Sequence, residues 1–418
     1  MKLKSLFLVI IFFGIISCDN DDTDYEYVKV AVPEVMSKAD FRSSVKVEVP
    51  IEIKEAGKIY AYSNYIFINE VDKGIHVLDN TNPETPVAKA FINIPGNIDI
   101  AIKDNLLYAD SVMDLVVFDI SDINNITKTF TLEDMFIPII NYDFPVGVWN
   151  VNYDAYDSNT QLIVGWKSVI EKRKVDDQID YHGHQLFNNG IATNTGASAE
   201  SNVGTGGSLA RFQIVNDYLY TVEDYEMKTF NISNLSQPFL ENSFQAGWNI
   251  ETMFHADNYL YLGSTRGMYI YSLENPSVPE YVSDFTHWEG CDPVVVDGDY
   301  AYLTLRGGNI CGQDESVLEV IDIKDKSAPT LKVRYQLENP YGLGIKGNTL
   351  FVCDGTSGLK LFNKENPLDI TLISKFENIQ SKDVIPLNDK LIMIGDNVLY
   401  QYNYVEGGVT LLSTYALN

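Results

Sequence analysis

The feature that most constrains the fold is a short aromatic and aliphatic segment that recurs along the chain. It starts at residues 65, 106, 161, 218, 259, 300, 349 and 390, as YIFI, LLYA, QLIV, YLYT, YLYL, YAYL, TLFV and KLIM. Four of the seven spacings between these starts are 41 residues. An equal period of this length predicts one structural unit that is repeated along the chain, with insertions where the spacing is longer.

Each unit has the pattern of four short strands. The recurring segment is preceded by a strand and a tight turn, as in VVVDGD and LGIKGN, where Gly, Asn and Asp tolerate a positive φ. An alternating strand such as LVVFDI, a turn with Asn or Pro, and a fourth strand follow. Such a unit needs about 40 residues, which matches the period. We therefore predict an all-β fold, a β-propeller of four-stranded blades. Eight hairpins predict eight blades, and seven is the alternative because the third hairpin is irregular.

Three of these units resemble a known repeat family. LVVFDISD, LEVIDIKDKSAP and IHVLDNTNPETP resemble the LVIVD repeat, which is found in secreted and surface proteins. The resemblance covers about residues 58–418 and implies a propeller, but the family brings no established activity. We assign residues 45–418 to the propeller, with VKVEVPIEIK (45–54) as an added strand of the last blade. The Gly-, Ser-, Thr- and Asn-rich residues 176–207 are interpreted as a long excursion loop.

The first residues predict export. A basic start and an apolar run over residues 5–16, too short for a membrane-spanning helix, are typical of a signal peptide covering residues 1–17. The run ends in ISC, which resembles a bacterial lipobox and implies acylation of Cys18. The acidic residues that follow resemble the tract of Bacteroidota-type lipoproteins on the outer face of the outer membrane. The alternatives are an ordinary signal peptide and the periplasmic face. Residues 18–44 are interpreted as an acylated Cys and an acidic, disordered tether.

The excess of acidic residues limits which partners the chain can bind. The chain has 30 Lys and Arg against 58 Asp and Glu, a formal net charge of −28. Such a chain repels nucleic acid and anionic lipid, and it has no basic cluster that would bind either. We expect a membrane contact through the lipid anchor, a glycan, peptide or protein partner, no nucleic acid, and a monomer.

The segments that cross from one blade to the next ring the mouth of a propeller's channel, and they supply the candidate ligand-binding residues. Three Trp fall in these crossings beside acidic and amide groups, a combination that suits a glycan or a peptide. The alternative is that these Trp pack between blades. The candidates are Asn97, Asp99, Trp149, Trp248, Asn249, Glu251, Trp288, Glu289, Asp292, Tyr341 and Asp383.

Cysteine and histidine add weaker predictions. Cys291 and Cys311 lie at the same end of one predicted hairpin, and an exported chain favours a disulfide between them. Cys353 is predicted to be a buried thiol. His182 and His184 could share one face of a strand and, with nearby Asp residues, hold a divalent cation, but a solvated loop is the preferred interpretation. No cofactor is predicted.

Three functions remain open at this point. The leading hypothesis is a surface-anchored lipoprotein whose propeller binds a ligand at the channel mouth without catalysis. The second is a glycan hydrolase that uses paired mouth carboxylates such as Glu251, Glu289 and Asp292. The third is a structural subunit of an outer-membrane complex.

Overall fold

The computed structural model describes residues 25–138, 143–148, 150–174, 202–286, 293–307 and 315–417. In these ranges no helix combines the length and the apolar composition that crossing a bilayer requires. The predicted signal peptide, residues 1–17, and the predicted lipidation site, Cys18, lie outside them.

The described residues form one short helix and 33 strands. The first half of the chain contains β1 (Tyr25–Ser37), α1 (Lys38–Ser44), β2 (Lys46–Glu48), β3 (Ala56–Tyr62), β4 (Tyr65–Glu70), β5 (Gly74–Asp79), β6 (Val87–Asn93), β7 (Ile100–Lys103), β8 (Leu106–Ser111), β9 (Asp114–Asp119), β10 (Thr127–Leu132), β11 (Asn150–Val151), β12 (Gln161–Lys174) and β13 (Thr205–Gly206). The second half contains β14 (Phe212–Val215), β15 (Tyr218–Val222), β16 (Glu226–Asn231), β17 (Phe239–Gln245), β18 (Ile250–Ala256), β19 (Tyr259–Ser264), β20 (Gly267–Ser272), β21 (Glu280–Thr286), β22 (Val294–Asp297), β23 (Tyr300–Leu305), β24 (Val317–Asp322), β25 (Thr330–Gln336), β26 (Leu343–Lys346), β27 (Thr349–Cys353), β28 (Leu359–Asn363), β29 (Thr371–Phe376), β30 (Asp383–Pro386), β31 (Lys390–Ile394), β32 (Val398–Val405) and β33 (Gly408–Ala416).

The chain divides into two compact units. One is Met1–Lys38 with Ile140–Asn188, and the other is Ala39–Ile139 with Asn189–Asn418. In the first unit, β1 pairs antiparallel with β12 along its whole length and parallel with β11, so the sheet has three strands. Residues 25–37 are therefore a strand rather than part of a disordered tether. YEYVKVAV is rich in Tyr and Val, which favour strands, and this preference outweighs the acidic composition nearby.

The second unit contains seven sheets built on four consecutive antiparallel strands. They are β3–β6, β7–β10, β14–β17, β18–β21, β22–β25, β26–β29 and β30–β33. Within each sheet, sequence neighbours are hydrogen-bonded neighbours, which is the meander of a propeller blade. Tight turns join the first two strands: Gly298 and Gly347 have φ of 58° and 55°, a left-handed conformation in which glycine avoids strain. The prediction of an all-β propeller of four-stranded blades is confirmed.

Seven hydrophobic clusters lie between neighbouring blades. Each joins residues of two consecutive sheets, and the seventh joins the first blade to the last, with Ile59 and Ile68 packed with Ile385 and Ile394. A reciprocal pair of hydrogen bonds between the Asn80 and Gln401 amides, at 2.8 and 2.7 Å, also spans this closure. Burial of apolar surface between blades is the main force that stabilises the ring.

The described strands give seven blades, the alternative count, rather than eight. The third of the eight predicted hairpins is β12 with its preceding strand β11, and both pair with β1 in the other unit. The strand expected from residues 45–54 also lies elsewhere. β2 pairs with β6 of the first blade, because the last blade already has its outer strand, β33.

Candidate functional site

Residues 202–210 run through the axial channel of the seven-bladed unit, and we name them the channel segment. Asp104 N donates to Asn202 O at 2.9 Å, and Gly204 N donates to Ile102 O at 3.0 Å, so the segment begins along the inner edge of β7. β13, within the segment, then pairs antiparallel with the inner edge of β3. The segment thus supplies main-chain partners to two strands whose inner edges would otherwise be unpaired.

Glycines allow the channel segment to approach the inner strands closely. A Cβ on Gly204 would overlap the Tyr60 ring, and a Cβ on Gly207 would overlap the Asp383 carboxylate. The glycine content of residues 202–207 predicted that they belong to the excursion loop. The structure corrects that assignment: the glycines permit close main-chain packing, and the part of the predicted loop that is described, from residue 202, is paired with the blades.

The channel segment ends against a buried carboxylate. Asp383 Oδ1 accepts hydrogen bonds from Ser208 N and Ser208 Oγ, both at 3.2 Å, and Ser208 Oγ accepts one from Leu343 N at 2.9 Å. Asp383 is 1% exposed, and its Oδ2 has no hydrogen-bond partner among the described residues. Burial raises the pKa of Asp383 to about 7. The neutral carboxyl group is therefore the favoured form only below about pH 7.

One position of the repeat forms a ring at the mouth of the channel. In every blade this position lies seven residues before the first residue of the second strand. It therefore falls at or near the start of the first strand. The seven residues at this position are Lys58, Asp99, Arg211, Thr252, Pro293, Gly342 and Asp383. Two cations and two acids therefore meet around one axis, although they are far apart in sequence.

Asp99 links three blades within this ring. Its Oδ2 accepts hydrogen bonds from Lys58 Nζ at 3.1 Å, from Phe212 N at 3.2 Å and from Arg211 N. Burial lowers the pKa of Lys58, and the adjacent Asp99 carboxylate partly opposes this change. The carboxylate of Asp99 is thus committed to partners inside the protein, where unpaired charge would be costly.

A second buried acid holds the crossing between the first two blades. Asp110 accepts hydrogen bonds from Asn97 Nδ2 at 2.8 Å, from Ile98 N at 3.0 Å and from Asp99 N at 2.9 Å. Burial raises the pKa of Asp110 to about 7. Asn97 is itself buried, and its side-chain oxygen accepts a hydrogen bond from Asn69 Nδ2 at 2.9 Å. This network positions the crossing rather than presenting groups to a ligand.

A cavity of about 420 Å³ opens at the mouth. It is lined by residues of six blades and of the channel segment: Lys58, Ile98, Leu209, Arg211, Asp224, Glu251, Thr252, Pro293, Arg306, Pro340 and Tyr341. This volume is in the range of sites that bind small ligands.

The polar groups of the cavity are held in place by local contacts. Arg211 Nε donates to Glu251 O at 3.1 Å, and the guanidinium carbon of Arg306 lies 4.1 Å from the centroid of the Tyr341 ring. Burial raises the pKa of Glu251, while Arg211 and Arg306 act in the opposite direction and Asp224 reinforces the rise. The cavity thus presents fixed donors and one acid whose protonated form is favoured by burial.

The structure separates the described candidates into three groups. Glu251 and Tyr341 line the cavity. Asn97, Asp99 and Asp383 are buried and hydrogen-bonded within the protein. Trp248 and Asn249 are exposed; Trp248 is 59% exposed, so this Trp does not pack between blades.

The remaining predicted positions lie outside the described residues. These are Trp149, Trp288, Glu289, Asp292, the cysteines Cys291 and Cys311, and the histidines His182 and His184. Cys353 is described, and it is a buried free thiol as predicted. In the parts of the chain that the structure covers, no three His, Cys, Asp or Glu side chains are arranged to hold a metal ion.

Lys58, Arg211 and Arg306, the three cations among the described residues that line the cavity, were not predicted from the sequence. Lys58 and Arg211 occupy the repeat position described above, so the register of the recurring segment contained their signal. Arg306 follows β23 and lies beyond this register. Its place in the cavity follows only from the way the blades are arranged.

Comparisons with known proteins support the repeat and the fold. A family model described as the LVIVD repeat matches residues 54–93, 97–132 and 291–336, which fall in the first, second and fifth blades. A protein from Lactobacillus plantarum is similar in structure at 13% identity, with 86% of this chain and 96% of that chain covered and a TM-score of 0.52. The computationally designed Ika8 protein is similar at 10% identity, with coverage of 88% and 89% and a TM-score of 0.51. No curated protein sequence matched the chain.

Proposed function

We propose that this chain, a seven-bladed propeller with LVIVD repeats in three segments, is a binding scaffold that holds a small polar ligand, a glycan or a peptide at the mouth of its channel. The observation that carries the proposal is the cavity of about 420 Å³ with its fixed charged groups. A propeller brings residues from many blades to one axis, so it can build such a site from a short segment of each blade.

The channel segment supports this function because it gives the cavity a rigid neighbour. Leu209 of the segment lines the cavity, while Ser208 next to it is hydrogen-bonded to Asp383 and Leu343. Ala210 O accepts a hydrogen bond from Met253 N at 2.7 Å. A site that is already ordered loses less conformational entropy when a ligand binds.

The test measures the binding of the soluble mature chain to glycan and peptide arrays. It compares three proteins, the wild type and two variants. Leu209→Trp adds bulk inside the cavity without changing its charge, and Trp248→Ala removes an exposed ring outside it. We expect Leu209→Trp to abolish binding and Trp248→Ala to preserve it. Binding that survives Leu209→Trp but is lost in Trp248→Ala would place the site at the exposed crossing. Absence of any ligand for the wild type would refute the proposal.

We also propose that the scaffold is anchored to the outer membrane through acylated Cys18 and faces the outside of the cell. The support is the ISC sequence after a short apolar run and the acidic residues that follow it. Metabolic labelling with a palmitate analogue in a bacterial host should label the wild type and not Cys18→Ala. External protease should then digest the wild type in intact cells. Equal labelling of both proteins would contradict the anchor.

Hydrolysis of glycans is a second candidate, and one observation favours it. Glu251 and Asp224 both line the cavity, and the negative charge of Asp224 adds to the burial that raises the pKa of Glu251. A carboxyl group with a raised pKa near a second carboxylate can act as a general acid in glycoside cleavage. Release of reducing ends by the wild type but not by Glu251→Gln would support this candidate, and no release by either protein would remove it.

A further inference from the structure

The pairing of β1 with β12 sorts the charges of these two strands onto opposite faces. Residues that oppose each other in an antiparallel pair share a face, and the faces alternate along each strand. The register places Tyr25 opposite Lys174 and Glu26 opposite Arg173. All three acids of the two strands therefore lie on one face: Glu26, Glu34 and Glu171. On that face Glu26 accepts a hydrogen bond from Arg173 Nε at 2.7 Å, and Glu171 accepts one from Asn152 Nδ2 at 2.6 Å.

The opposite face carries lysines and apolar side chains where β1 begins and β12 ends. We name six of its residues the lysine face: Tyr25, Tyr27, Lys29, Ile170, Lys172 and Lys174. All six are exposed, and the exposed fractions of Tyr27 and Ile170 are 73% and 74%. Further along the same face, Trp166 packs against Phe144 and Tyr153, with ring centroids 4.7 and 5.8 Å apart. The strand pair thus has an aromatic cluster at one end of this face and the exposed lysine face at the other.

The three lysines of the lysine face have no carboxylate partner among the described residues. Lys29 Nζ donates to Val146 O at 2.7 Å, and Lys172 Nζ lies 4.1 Å from the centroid of the Tyr25 ring. Neither a carbonyl group nor a tyrosine ring neutralises an ammonium charge. The lysine face therefore keeps three positive charges that no acid of the two strands opposes.

Lysine and tyrosine together on an exposed face are typical of a protein that contacts a membrane surface. A tyrosine ring has an apolar body and a polar tip, which suits the headgroup region of a bilayer. A lysine can keep its ammonium group at a phosphate while its methylene stem lies among apolar groups. Each lysine close to an anionic lipid surface adds attraction. The chemistry of the lysine face therefore fits the phosphate groups of lipids.

The place of the lysine face in the chain favours the same partner. Seven residue steps separate Cys18, the proposed acylation site, from Tyr25 at the start of β1. Such a stretch spans at most about 25 Å, so an acyl group on Cys18 would hold the lysine face close to the bilayer. The net charge of −28 does not prevent the contact, because salt screens exposed charges beyond about 8 Å at physiological ionic strength.

We propose that the lysine face is a second membrane contact, which lies against the anionic surface of the bilayer that holds the lipid anchor. Lys29, Lys172 and Lys174 bind lipid phosphates, and the exposed apolar side chains enter the headgroup region. The inference rests on the proposed anchor at Cys18 and adds a surface of the folded chain to it.

The test is co-sedimentation of the protein with lipid vesicles of two compositions. The protein spans residues 19–418, so it has no acyl group and the acidic residues 19–24 contribute to the result. One vesicle is phosphatidylcholine alone, and the other contains phosphatidylglycerol as well. On the anionic vesicle we expect an association constant of about 10³–10⁴ M⁻¹, about 10-fold or more above that on phosphatidylcholine. Added salt should weaken the binding.

Two double variants test the two parts of the lysine face. Lys172→Gln with Lys174→Gln removes two charges and should weaken binding to the anionic vesicle about 10-fold or more. Tyr27→Ser with Ile170→Ser removes the two most exposed apolar side chains of the face and should weaken binding about 10-fold on both vesicles.

Each double variant has a matched control outside the two strands. Lys54→Gln with Lys324→Gln removes the same charge from two exposed lysines. Tyr281→Ser with Leu372→Ser removes two apolar side chains that are 55% and 54% exposed. Both controls should bind the anionic vesicle within about 2-fold of the wild type, because their sites lie away from the lysine face. Thermal unfolding of every variant verifies that it is folded.

The outcomes separate this inference from the proposed anchor. No binding to either vesicle at about 5 mM lipid would overturn the inference, since half of the protein should bind at about 0.1–1 mM. Equal losses in a double variant and its control would overturn it as well. If Cys18→Ala loses the palmitate label but the protein of residues 19–418 binds no vesicle, the anchor stands and the lysine face fails. Vesicle binding together with equal labelling of Cys18→Ala and the wild type would have the opposite meaning.

Discussion

The axial channel of this propeller has two sides that are built differently. On the filled side, the inner edges of β3 and β7 are paired with the main chain of the channel segment. On the open side, the residues that begin or precede β18, β22 and β26 line the cavity, among them Glu251, Pro293 and Tyr341. The same repeated strand can therefore either pair with another segment or border an open cavity. The choice depends on whether the chain supplies a segment thin enough to enter the channel.

The largest effect on stability is expected from a substitution that disrupts packing on the filled side of the channel. A Cβ on Gly207 would overlap the Asp383 carboxylate, so Gly207→Ala should lower the free energy of unfolding by about 3 kcal/mol. Gly408→Ala is the control, because its Cβ would meet other atoms only at 3.9 Å and beyond. Urea unfolding of both variants measures the difference. Equal stability of the two would show that the channel segment does not pack as tightly as described.

The second effect depends on pH and concerns Asp383, where the filled side ends. Because burial raises the pKa of Asp383 to about 7, above that of an unfolded Asp, the folded state takes up a proton there. The resulting stability is complete below about pH 4 and is lost as the pH rises through about 7. The stability of Asp383→Asn, which stays neutral, should therefore rise by about 2.6 kcal/mol relative to that of the wild type between pH 5 and pH 8.

Urea unfolding at the two pH values checks this prediction, with Asp389→Asn as the control. Asp389 is exposed in the turn between β30 and β31 of the same blade. Its substitution should change stability by the same small amount at both pH values. A difference between wild type and Asp383→Asn that does not vary with pH would mean that Asp383 is ionised in the folded protein throughout.

A smaller effect is expected on the open side. Tyr341→Leu removes the ring over which Arg306 is stacked, a contact worth about 0.5–1 kcal/mol at a partly exposed site. The affinity for a cavity ligand found on the arrays should fall about 2- to 5-fold, while the free energy of unfolding changes little. Calorimetric titration with that ligand measures the first quantity and urea unfolding the second. A large loss of stability with unchanged affinity would make the Arg306–Tyr341 contact a structural one.

The smallest effect is expected from Trp248→Ala. The ring is 59% exposed and does not line the cavity, so the free energy of unfolding should change by no more than about 0.5 kcal/mol. Binding of a cavity ligand should also be unchanged. Loss of binding in this variant alone would extend the site from the cavity to the exposed crossing.

The sequence predicted the blades well because their signals are local. Seven of the eight recurring segments begin the second strand of a blade, at the residues where the strands start. The exception, at residue 161, has the same composition but begins β12, which pairs with β1. A strand pattern does not specify its partner, since pairing is decided by which strands are available in the folded chain.

The candidate site was predicted only in part. Glu251 and Tyr341 were found because crossings between blades ring a channel. Asp99 and Asp383 were also chosen as polar groups of the mouth, but both are committed to internal hydrogen bonds. Composition cannot distinguish a polar group that faces a cavity from one that satisfies buried N–H groups, because both are acids next to a strand.

The sequence by itself determined the repeat, the four-stranded unit and the turns, because strand alternation and turn conformation depend on residues close together in the chain. Only the tertiary structure decided the number of blades, the path of residues 202–210 through the channel, and the meeting of Lys58, Arg211 and Arg306 at one cavity. These features depend on contacts between residues that are distant in sequence. Such contacts form only when the ring of blades closes, and the burial of apolar clusters between blades stabilises that closure.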